Sequence, residues 1–213
     1  GIVGGHIPIG AGLAFGNKYK GNGNISATFF GDGAVDQGAL HETMNMAQLW
    51  KLPVVFVVEN NGYSMGTAAK RHTVAEIVDR AKGYGMKSAV INGMDTFSVY
   101  EKMKEIADDI RENSEPWFVE IRTYRYRGHS MSDPQKYRTK EELELYQNID
   151  PILKMKDYIL TNKIANDDYF KEAEDRIDKE VLDSVTFADE SPFPEIEEMY
   201  DDMFAEENPY FHV

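Results

Sequence analysis

Hydrophobic and polar positions in the first part of the chain follow a strand, helix, strand pattern. Residues 25–30 and 53–58 are short, apolar, β-prone runs, and each one stops at a polar turn. Between them, Leu40 and Met44 lie at helical spacing within residues 37–49. This order predicts a βαβ crossover, and a crossover of this kind places its two strands side by side and parallel.

The pattern continues in the same style up to about residue 124. Apolar periodicity predicts two more helices and two more strands, the helices at 74–82 and 97–111 and the strands at 88–91 and 117–124. Short apolar strands alternating with helices are typical of sheets that are covered on both sides. We therefore predict an α/β fold, a parallel sheet with helices on both faces.

The second part of the chain has a different character. A polar loop at 128–134 precedes three charged helical stretches, near 139–147, 150–162 and 167–184. The proline-containing acidic segment that follows is expected to be extended. We predict an α/β domain at 1–138 and an acidic helical C-terminal appendage at 139–213. Because the chain begins at Gly1 and not at methionine, we also expect the first domain to be incomplete at its start.

Composition narrows the possible partners. The 213 residues include 42% hydrophobic residues and no cysteine, and no apolar run approaches the roughly 18 residues of a membrane span, so we expect a soluble globular protein. The net charge of -14 arises entirely after residue 130, where 23 acidic residues face 9 basic ones. No lysine or arginine follows Val181. This acidity disfavours binding to nucleic acid or to an anionic membrane.

Candidate chemistry lies at the ends of the first two predicted strands. Gly31-Asp32-Gly33 follows one strand and Asn60-Asn61 follows the next. The carboxyl ends of parallel strands meet at one edge of the sheet, so these turns should lie side by side. A carboxylate, an amide oxygen and a backbone carbonyl are suitable ligands for magnesium, which also binds phosphates. Gly33 and Ala34 are expected to open the following helix, whose free amides favour a diphosphate.

Four motifs together resemble a known family. They are GDGAVDQG at 31–38, NMAQLWKLP at 45–53, ENNGYSMGT at 59–67 and TYRYRGHSMSDP at 123–134. The first and third, separated by one strand-helix-strand unit, resemble the magnesium and thiamine diphosphate motif. All four are similar to the alpha subunits of thiamine diphosphate-dependent 2-oxo acid dehydrogenases, and among these to the pyruvate dehydrogenase (decarboxylating) type. The resemblance extends over nearly the whole chain and implies the thiamine diphosphate-binding fold.

The resemblance implies a role for two groups of residues at the strand ends. One group would bind Mg2+ through two side chains and one backbone carbonyl, and it consists of Asp32, Asn61 and Tyr63. The other would bind the cofactor diphosphate through backbone amides, and it consists of Gly33 and Ala34.

Two further segments take roles by the same resemblance. Gly1 and Val3 match the segment that contacts the aminopyrimidine of thiamine diphosphate. His129 would lie near the reactive thiazolium carbon as a catalytic residue, on a loop bordering the active site. Arg125, just before that loop, would contribute to cofactor binding or to the structure around it.

Other polar residues near these motifs are interpreted as structural. His6 and His41 are expected to pack or to form hydrogen bonds, and Glu59 is expected to be a structural carboxylate. We assign no role to His72 or His212.

The family resemblance also implies an activity and partners. It implies thiamine diphosphate-dependent oxidative decarboxylation of pyruvate, with transfer of the acetyl group to a lipoyl group of an acyltransferase core. The carboxylate that activates the aminopyrimidine would come from a separate beta subunit in an α2β2 heterotetramer. A bacterial cytoplasm or an organelle matrix would be the location.

Three alternatives remain at this stage. The chain could be the alpha subunit of a branched-chain 2-oxo acid or acetoin dehydrogenase, although the motifs at 45–53 and 128–134 favour pyruvate. It could be a non-catalytic assembly subunit, against which the intact Asp32, Asn61 and His129 argue. It could also be a generic nucleotide-binding α/β protein, but it has no glycine-rich phosphate loop of the usual spacing.

Overall fold

A four-stranded parallel sheet forms the centre of the protein in the computed structural model, which describes residues 2–201. Its strands are β1 (Ser26–Gly31), β2 (Val54–Asn60), β5 (Lys87–Asn92) and β6 (Trp117–Arg122). They lie side by side in the order β1-β2-β6-β5, and every neighbouring pair is parallel. A small antiparallel hairpin of β3 (Tyr63–Ser64) and β4 (Thr67–Ala68) follows β2 almost at once.

Six α-helices and four 3-10 helices accompany these strands among residues 2–201. The α-helices are α1 (His6–Lys20), α2 (Gly38–Leu49), α3 (Thr96–Asn113), α4 (Lys140–Gln147), α5 (Pro151–Thr161) and α6 (Asp167–Glu190). The 3-10 helices are Asp32–Asp36, Ala69–Arg71, Ile77–Tyr84 and Ile196–Tyr200.

Alternate residues of β2 point to opposite faces of the sheet, and each face has its own hydrophobic core. On one face, Val54, Phe56 and Val58 pack in a cluster that includes residues of α1 and α2. On the other face, Val55 and Val57 pack with residues of α3. The predicted α/β fold with helices on both faces is therefore confirmed.

The first helix, α1, was not predicted, because its sequence contains Pro8 and several glycines. Pro8 lies in the first turn, where a missing backbone N–H costs no hydrogen bond. Gly10 faces β1 so closely that a Cβ atom would lie 1.7 Å from Oγ1 of Thr28. His6 adds a hydrogen bond of 2.7 Å from Nε2 to the Phe29 carbonyl oxygen. Glycine therefore favours the helix here through close packing on the sheet.

Two predicted helices begin differently in the structure. The helix predicted at 74–82 is the 3-10 helix Ile77–Tyr84, which starts after Glu76, a residue with the non-helical ψ of 136°, and ends before Gly85 at φ 64°. The expectation that Gly33 and Ala34 open α2 is wrong. Both residues lie in the 3-10 helix Asp32–Asp36, because Gln37 is extended and α2 can start only at Gly38.

Contacts divide the chain into two compact units, residues 1–158 and 159–213. The domain boundary placed at residue 138 from the sequence stays a prediction. In the second unit, Asn166 caps α6 by accepting a hydrogen bond from the Tyr169 amide, and α6 has no buried residue. Part of the segment predicted to be extended is the 3-10 helix Ile196–Tyr200, and the remainder beyond residue 201 lies outside the described residues.

Across residues 2–201, no helix combines the length and the apolar character that crossing a bilayer requires.

Candidate active site

The two polar turns identified in the sequence lie at the same edge of the sheet. β1 and β2 are paired in parallel with Gly31 opposite Glu59, so Asp32 and the Asn60-Asn61 pair follow directly from adjacent strand ends. β6 ends beside them, with Arg122 opposite Asn60. The carboxyl ends of three strands therefore supply one cluster of polar groups, as expected for a ligand site in an open parallel sheet.

Asp32 is a buried carboxylate, and its side chain has no strong cation beside it. The residue is 1% exposed, and its Oδ2 accepts a hydrogen bond of 2.9 Å from the Ser64 hydroxyl. Within residues 2–201, no lysine or arginine nitrogen lies within 4.0 Å of it, and His72 Nε2 is 3.5 Å away. A buried charge without a cation is costly. A bound cation would offset that cost.

Gly33 and Ala34 follow Asp32 on the five-residue 3-10 helix. A Cβ atom on Gly33 would lie 2.5 Å from Ser64 Oγ and 2.9 Å from Ser64 Cβ. Glycine at this position therefore lets the β3 hairpin approach closely enough for Ser64 to reach Asp32. Ala34 is buried at 5% exposure.

The turn after β2 carries the other predicted metal ligands. Asn61 Oδ1 accepts a hydrogen bond of 3.1 Å from the Tyr63 amide, which fixes the amide oxygen beside the turn. The Tyr63 phenol donates 2.8 Å to Glu142 on α4. Burial, together with this carboxylate, raises the pKa of Tyr63 to about 12. The Tyr63 side chain thus links the turn to α4, and the Tyr63 backbone carbonyl is part of the turn.

His72 belongs to this cluster, although no motif in the sequence points to it. Its Nδ1 lies 2.7 Å from Asp36 Oδ2, and its Nε2 lies 3.3 Å from Ser64 Oγ. Arg80 pairs with the other oxygen of Asp36 at 2.5 Å. The histidine therefore links the 3-10 helix after β1 to the β3 hairpin. His212, which also received no role, lies outside the described residues.

His129 lies on the polar loop after β6, and its side chain is exposed. Its backbone amide donates 2.8 Å to Asp133, which also accepts from the Gln135 amide and the Tyr137 phenol. These hydrogen bonds, that from Gln135 first, lower the pKa of Asp133. The Arg138 guanidinium donates to the backbone carbonyl oxygens of Arg125 and Tyr126, just before the loop. These hydrogen bonds fix the start of the loop that carries His129.

Arg125 is placed between the loop and the hairpin. Its Nη2 donates 2.6 Å to the Met65 carbonyl oxygen and 3.2 Å to the Tyr137 hydroxyl, whereas its buried Nε has no hydrogen-bond partner among the described residues. Arg125 therefore links the hairpin to the loop through Nη2, and its buried Nε stays without a partner among the described residues. Val3 is exposed before α1, and Gly1 lies outside the described residues.

The donor set at the strand ends suits magnesium better than a softer metal. Within residues 2–201, no group of three or more histidines, cysteines, aspartates and glutamates is arranged to hold a metal ion. One carboxylate, one amide oxygen and one carbonyl are hard ligands, and magnesium ordinarily completes such a set with phosphate oxygens and waters. The residues present thus fit a metal that arrives with a phosphorylated cofactor.

Sequence comparison identifies the family. A profile of the dehydrogenase E1 component family matches residues 1–197. This chain belongs to that family. The family is thiamine diphosphate-dependent, and the resemblance inferred from the four motifs is confirmed.

Several members of the E1 family are close in sequence. The pyruvate dehydrogenase E1 component subunit alpha of Rickettsia bellii is 48% identical over 206 residues, which are 96% of this chain and 63% of that protein. The corresponding subunit of Zymomonas mobilis is 43% identical over 94% of this chain and 57% of its own length. A testis-specific mitochondrial form from Rattus norvegicus is 41% identical over 100% of this chain and 54% of its own length. The E1 chain described here therefore spans less than two thirds of these relatives.

Proposed function

We propose that this chain is the thiamine diphosphate-binding part of a pyruvate dehydrogenase E1 alpha subunit. The complete enzyme would carry out oxidative decarboxylation of pyruvate and transfer the acetyl group to a lipoyl group of an acyltransferase partner. The observation that carries the proposal is the buried Asp32 carboxylate, 1% exposed and without a lysine or arginine partner in residues 2–201, at the strand end beside the Asn60-Asn61 turn. Relatives named as this subunit, at 43–48% identity, support the choice of reaction.

Each site residue has a proposed task. Asp32, Asn61 and the Tyr63 carbonyl would hold Mg2+, and the Gly33 and Ala34 amides would hold the diphosphate. When bound, thiamine diphosphate supplies the electron sink for cleaving the bond between the keto carbon and the carboxylate of a 2-oxo acid. This chain's residues would bind that group, orient it and exclude water from it.

Residues outside the strand ends would act on the other parts of the ligands. Val3 and Gly1 would contact the aminopyrimidine ring. His129, exposed on its loop, would stabilise charge or move a proton at the reacting carbon, the usual task of a histidine in such a site. Arg125 has one unpartnered Nε, which suits a supporting contact to the cofactor or the substrate.

The proposed assembly completes the site. A beta subunit would supply the carboxylate that activates the aminopyrimidine, in an α2β2 heterotetramer bound to the acyltransferase core. Bacterial and mitochondrial relatives support a bacterial cytoplasm or an organelle matrix as the location.

Turnover with a series of substrates tests this proposal. The full-length protein would be purified with its beta subunit and supplied with Mg2+ and thiamine diphosphate. Acylation of a lipoyl domain would then be measured for pyruvate, its next larger homologue, branched-chain 2-oxo acids and acetoin, together with carbon dioxide release for the 2-oxo acids and acetaldehyde release for acetoin. We expect the highest kcat/KM with pyruvate.

The other outcomes distinguish the alternatives. A higher kcat/KM with a branched-chain acid or acetoin would assign the chain to a sister enzyme. Tight cofactor binding without turnover of any substrate would identify a non-catalytic assembly subunit.

A further inference from the structure

Glu120 is a buried carboxylate at the carboxyl end of β6. It is 1% exposed and accepts hydrogen bonds from three parts of the fold. Its Oε1 accepts 2.9 Å from Asn60 Nδ2 and 2.9 Å from Arg122 Nε, and its Oε2 accepts 3.2 Å from the Val78 amide. Since all three neighbouring groups are hydrogen-bond donors, both side-chain oxygens of Glu120 must be acceptors.

Both amide atoms of Asn60 form hydrogen bonds within the protein. Its Nδ2 donates to Glu120, and its Oδ1 accepts 3.0 Å from the Gly62 amide. Its carbonyl oxygen accepts 2.9 Å from the Thr123 amide. The Asn60 side chain therefore links Glu120 to the turn. The side chain of the next residue, Asn61, instead accepts a hydrogen bond from the Tyr63 amide within the turn.

The turn at Gly62 depends on this side-chain link. Gly62 has φ +84°, so the chain reverses there in a conformation that is not maintained by a regular strand ladder. The Asn60 side chain holds the Gly62 amide, and Glu120 holds the Asn60 side chain. Arg122, which neutralises Glu120, also reaches Glu76 at 2.6 Å. The position of Glu120 is thus determined independently of the turn.

We propose that Glu120 is a positioning residue for the magnesium site: through Asn60, it fixes the turn on which Asn61 Oδ1 and the Tyr63 carbonyl face the cation. This inference rests on the proposed function, because it concerns the same metal site. The expected consequence is a specific loss of magnesium affinity when Glu120 stops being an acceptor on both oxygens. Residues that orient metal ligands typically contribute about 10-fold to 100-fold to affinity.

The chain offers a matched control at the opposite end of the sheet. Asp109 on α3 also accepts hydrogen bonds from three side chains, namely Lys87, Trp117 and Asn113. Lys87 and Trp117 are the first residues of β5 and β6, at the amino end of the sheet, and Trp117 lies three residues before Glu120. Asp109→Asn therefore disturbs a similar network away from the proposed metal site.

The experiment measures magnesium affinity by titration calorimetry on the full-length protein with its partner subunit, at saturating thiamine diphosphate. The variants are Glu120→Gln, Asp109→Asn, Asn60→Ala and the double variant Glu120→Gln/Asn60→Ala. Thermal unfolding without Mg2+ is recorded for each. We expect Glu120→Gln to raise the Kd for Mg2+ about 10-fold or more, the lower end for residues that orient ligands. Asp109→Asn should lower Tm and leave that Kd unchanged.

The double variant separates positioning from general destabilisation. If Glu120 acts through Asn60, Glu120→Gln should change the Kd little further in the Asn60→Ala background. Full additivity, an unchanged Kd in Glu120→Gln, or an equal rise in Asp109→Asn would overturn the proposal. Where Glu120→Gln does not fold, Asn60→Ala decides alone, and an unchanged Kd in it overturns the proposal as well.

A fifth variant, Asp32→Asn, distinguishes the failure of this inference from the failure of the proposed function. Loss of magnesium affinity in Asp32→Asn together with normal affinity in Glu120→Gln would reject only the role of Glu120. Normal affinity in both variants would reject the metal site itself, and the positioning role with it.

Discussion

Asp109 at the amino end of the sheet and Asp32 at its carboxyl end differ in the groups that contact their carboxylates. At the amino end, Asp109 accepts 2.9 Å from Lys87, and the same lysine reaches Glu115 at 3.3 Å. At the carboxyl end, Asp32 is buried at 1% exposure, and within residues 2–201 its hydrogen-bond donor is the Ser64 hydroxyl rather than a lysine or an arginine. The fold thus supplies Asp109 with a lysine partner and leaves Asp32 without a strong cation. A cation bound at Asp32 would offset the cost of burying its carboxylate.

The largest expected effect concerns Asp32. Asp32→Ala removes the only anionic ligand among the proposed protein groups, so Mg2+-dependent thiamine diphosphate binding should weaken by more than about 100-fold, beyond the loss typical of residues that merely orient a ligand. Calorimetry on the assembled enzyme measures this. The fold should survive, because removing a buried carboxylate without a strong cation relieves a desolvation cost.

The opposite end of the sheet provides the control for that variant. Asp109→Ala should leave cofactor affinity unchanged. If Asp32→Ala binds cofactor as tightly as the unmodified enzyme does, the assignment of the metal site is wrong and the two ends do not differ in function.

The second effect concerns the loop beyond the carboxyl end. His129→Ala should lower turnover of pyruvate about 100-fold, the usual scale for an acid-base group. Cofactor affinity should change much less, since His129 is on a loop and outside the strand-end cluster. Steady-state kinetics with calorimetry on the same preparation separates the two quantities. Met131→Ala, at a fully exposed position of the same loop, is the control, and equal losses in both variants would reduce His129 to a bystander.

Sequence patterns predicted the sheet well because its strands are short, apolar and bounded by turns. The pairing of β1 with β2 and the neighbouring polar turns followed from the βαβ order alone. The helix α1 was missed because glycines such as Gly10 are explained only by the close approach of β1, which involves residues distant in sequence.

The same limitation applies to the site. Ser64 and His72 contact Asp32 from more than 30 positions along the chain, and local sequence carries no signal for such contacts. Glu120 did leave a signal, namely a charged residue in the middle of the otherwise apolar strand residues 117–121. A charge there is unexpected in a buried strand unless partners surround it.

The third effect tests whether the amino end is purely structural. Hydrogen bonds from Lys87, and then Trp117, lower the pKa of Asp109. A carboxyl group with a lowered pKa in the folded state stabilises the fold above its unfolded pKa of about 3.9, and this contribution is lost as pH falls through the folded value. Asp109→Asn should therefore lower the free energy of unfolding at pH 7 by about 1 kcal/mol, a modest value because the side chain is 25% exposed.

Urea unfolding at pH 7 and at about pH 3, which lies below the unfolded pKa of about 3.9, checks this, and the difference between Asp109→Asn and the unmodified protein should shrink at the lower pH. The neighbouring Asp108 pairs with Lys104 on the exposed side of α3 and provides the comparison. Asp108→Asn should have little effect on the urea midpoint. Equal effects of the two substitutions would show that the Asp109 network contributes no more than a surface ion pair.

The smallest effect returns to the carboxyl end, where Tyr63 and Tyr124 donate to the same oxygen of Glu142 at 2.8 and 2.9 Å. Burial first, and then Glu142, raises the pKa of Tyr63 to about 12. A raised pKa means that the neutral phenol stabilises the fold below its unfolded pKa of about 10, and that this contribution is lost as pH rises from there towards 12. Tyr63→Phe should lower the free energy of unfolding at pH 7 by at most about 1 kcal/mol, since Glu142 keeps the Tyr124 hydrogen bond.

Above pH 10 the difference in the free energy of unfolding between Tyr63→Phe and the unmodified protein should narrow, which urea unfolding at pH 7 and pH 11 measures. Tyr19→Phe, at an exposed tyrosine of α1, should leave stability at pH 7 unchanged. A loss in Tyr63→Phe that stays constant across this pH range would mean that the raised pKa of the phenol does not contribute to it. No loss at pH 7 would mean that the Tyr63 hydroxyl and the carboxylate on α4 do not secure the turn.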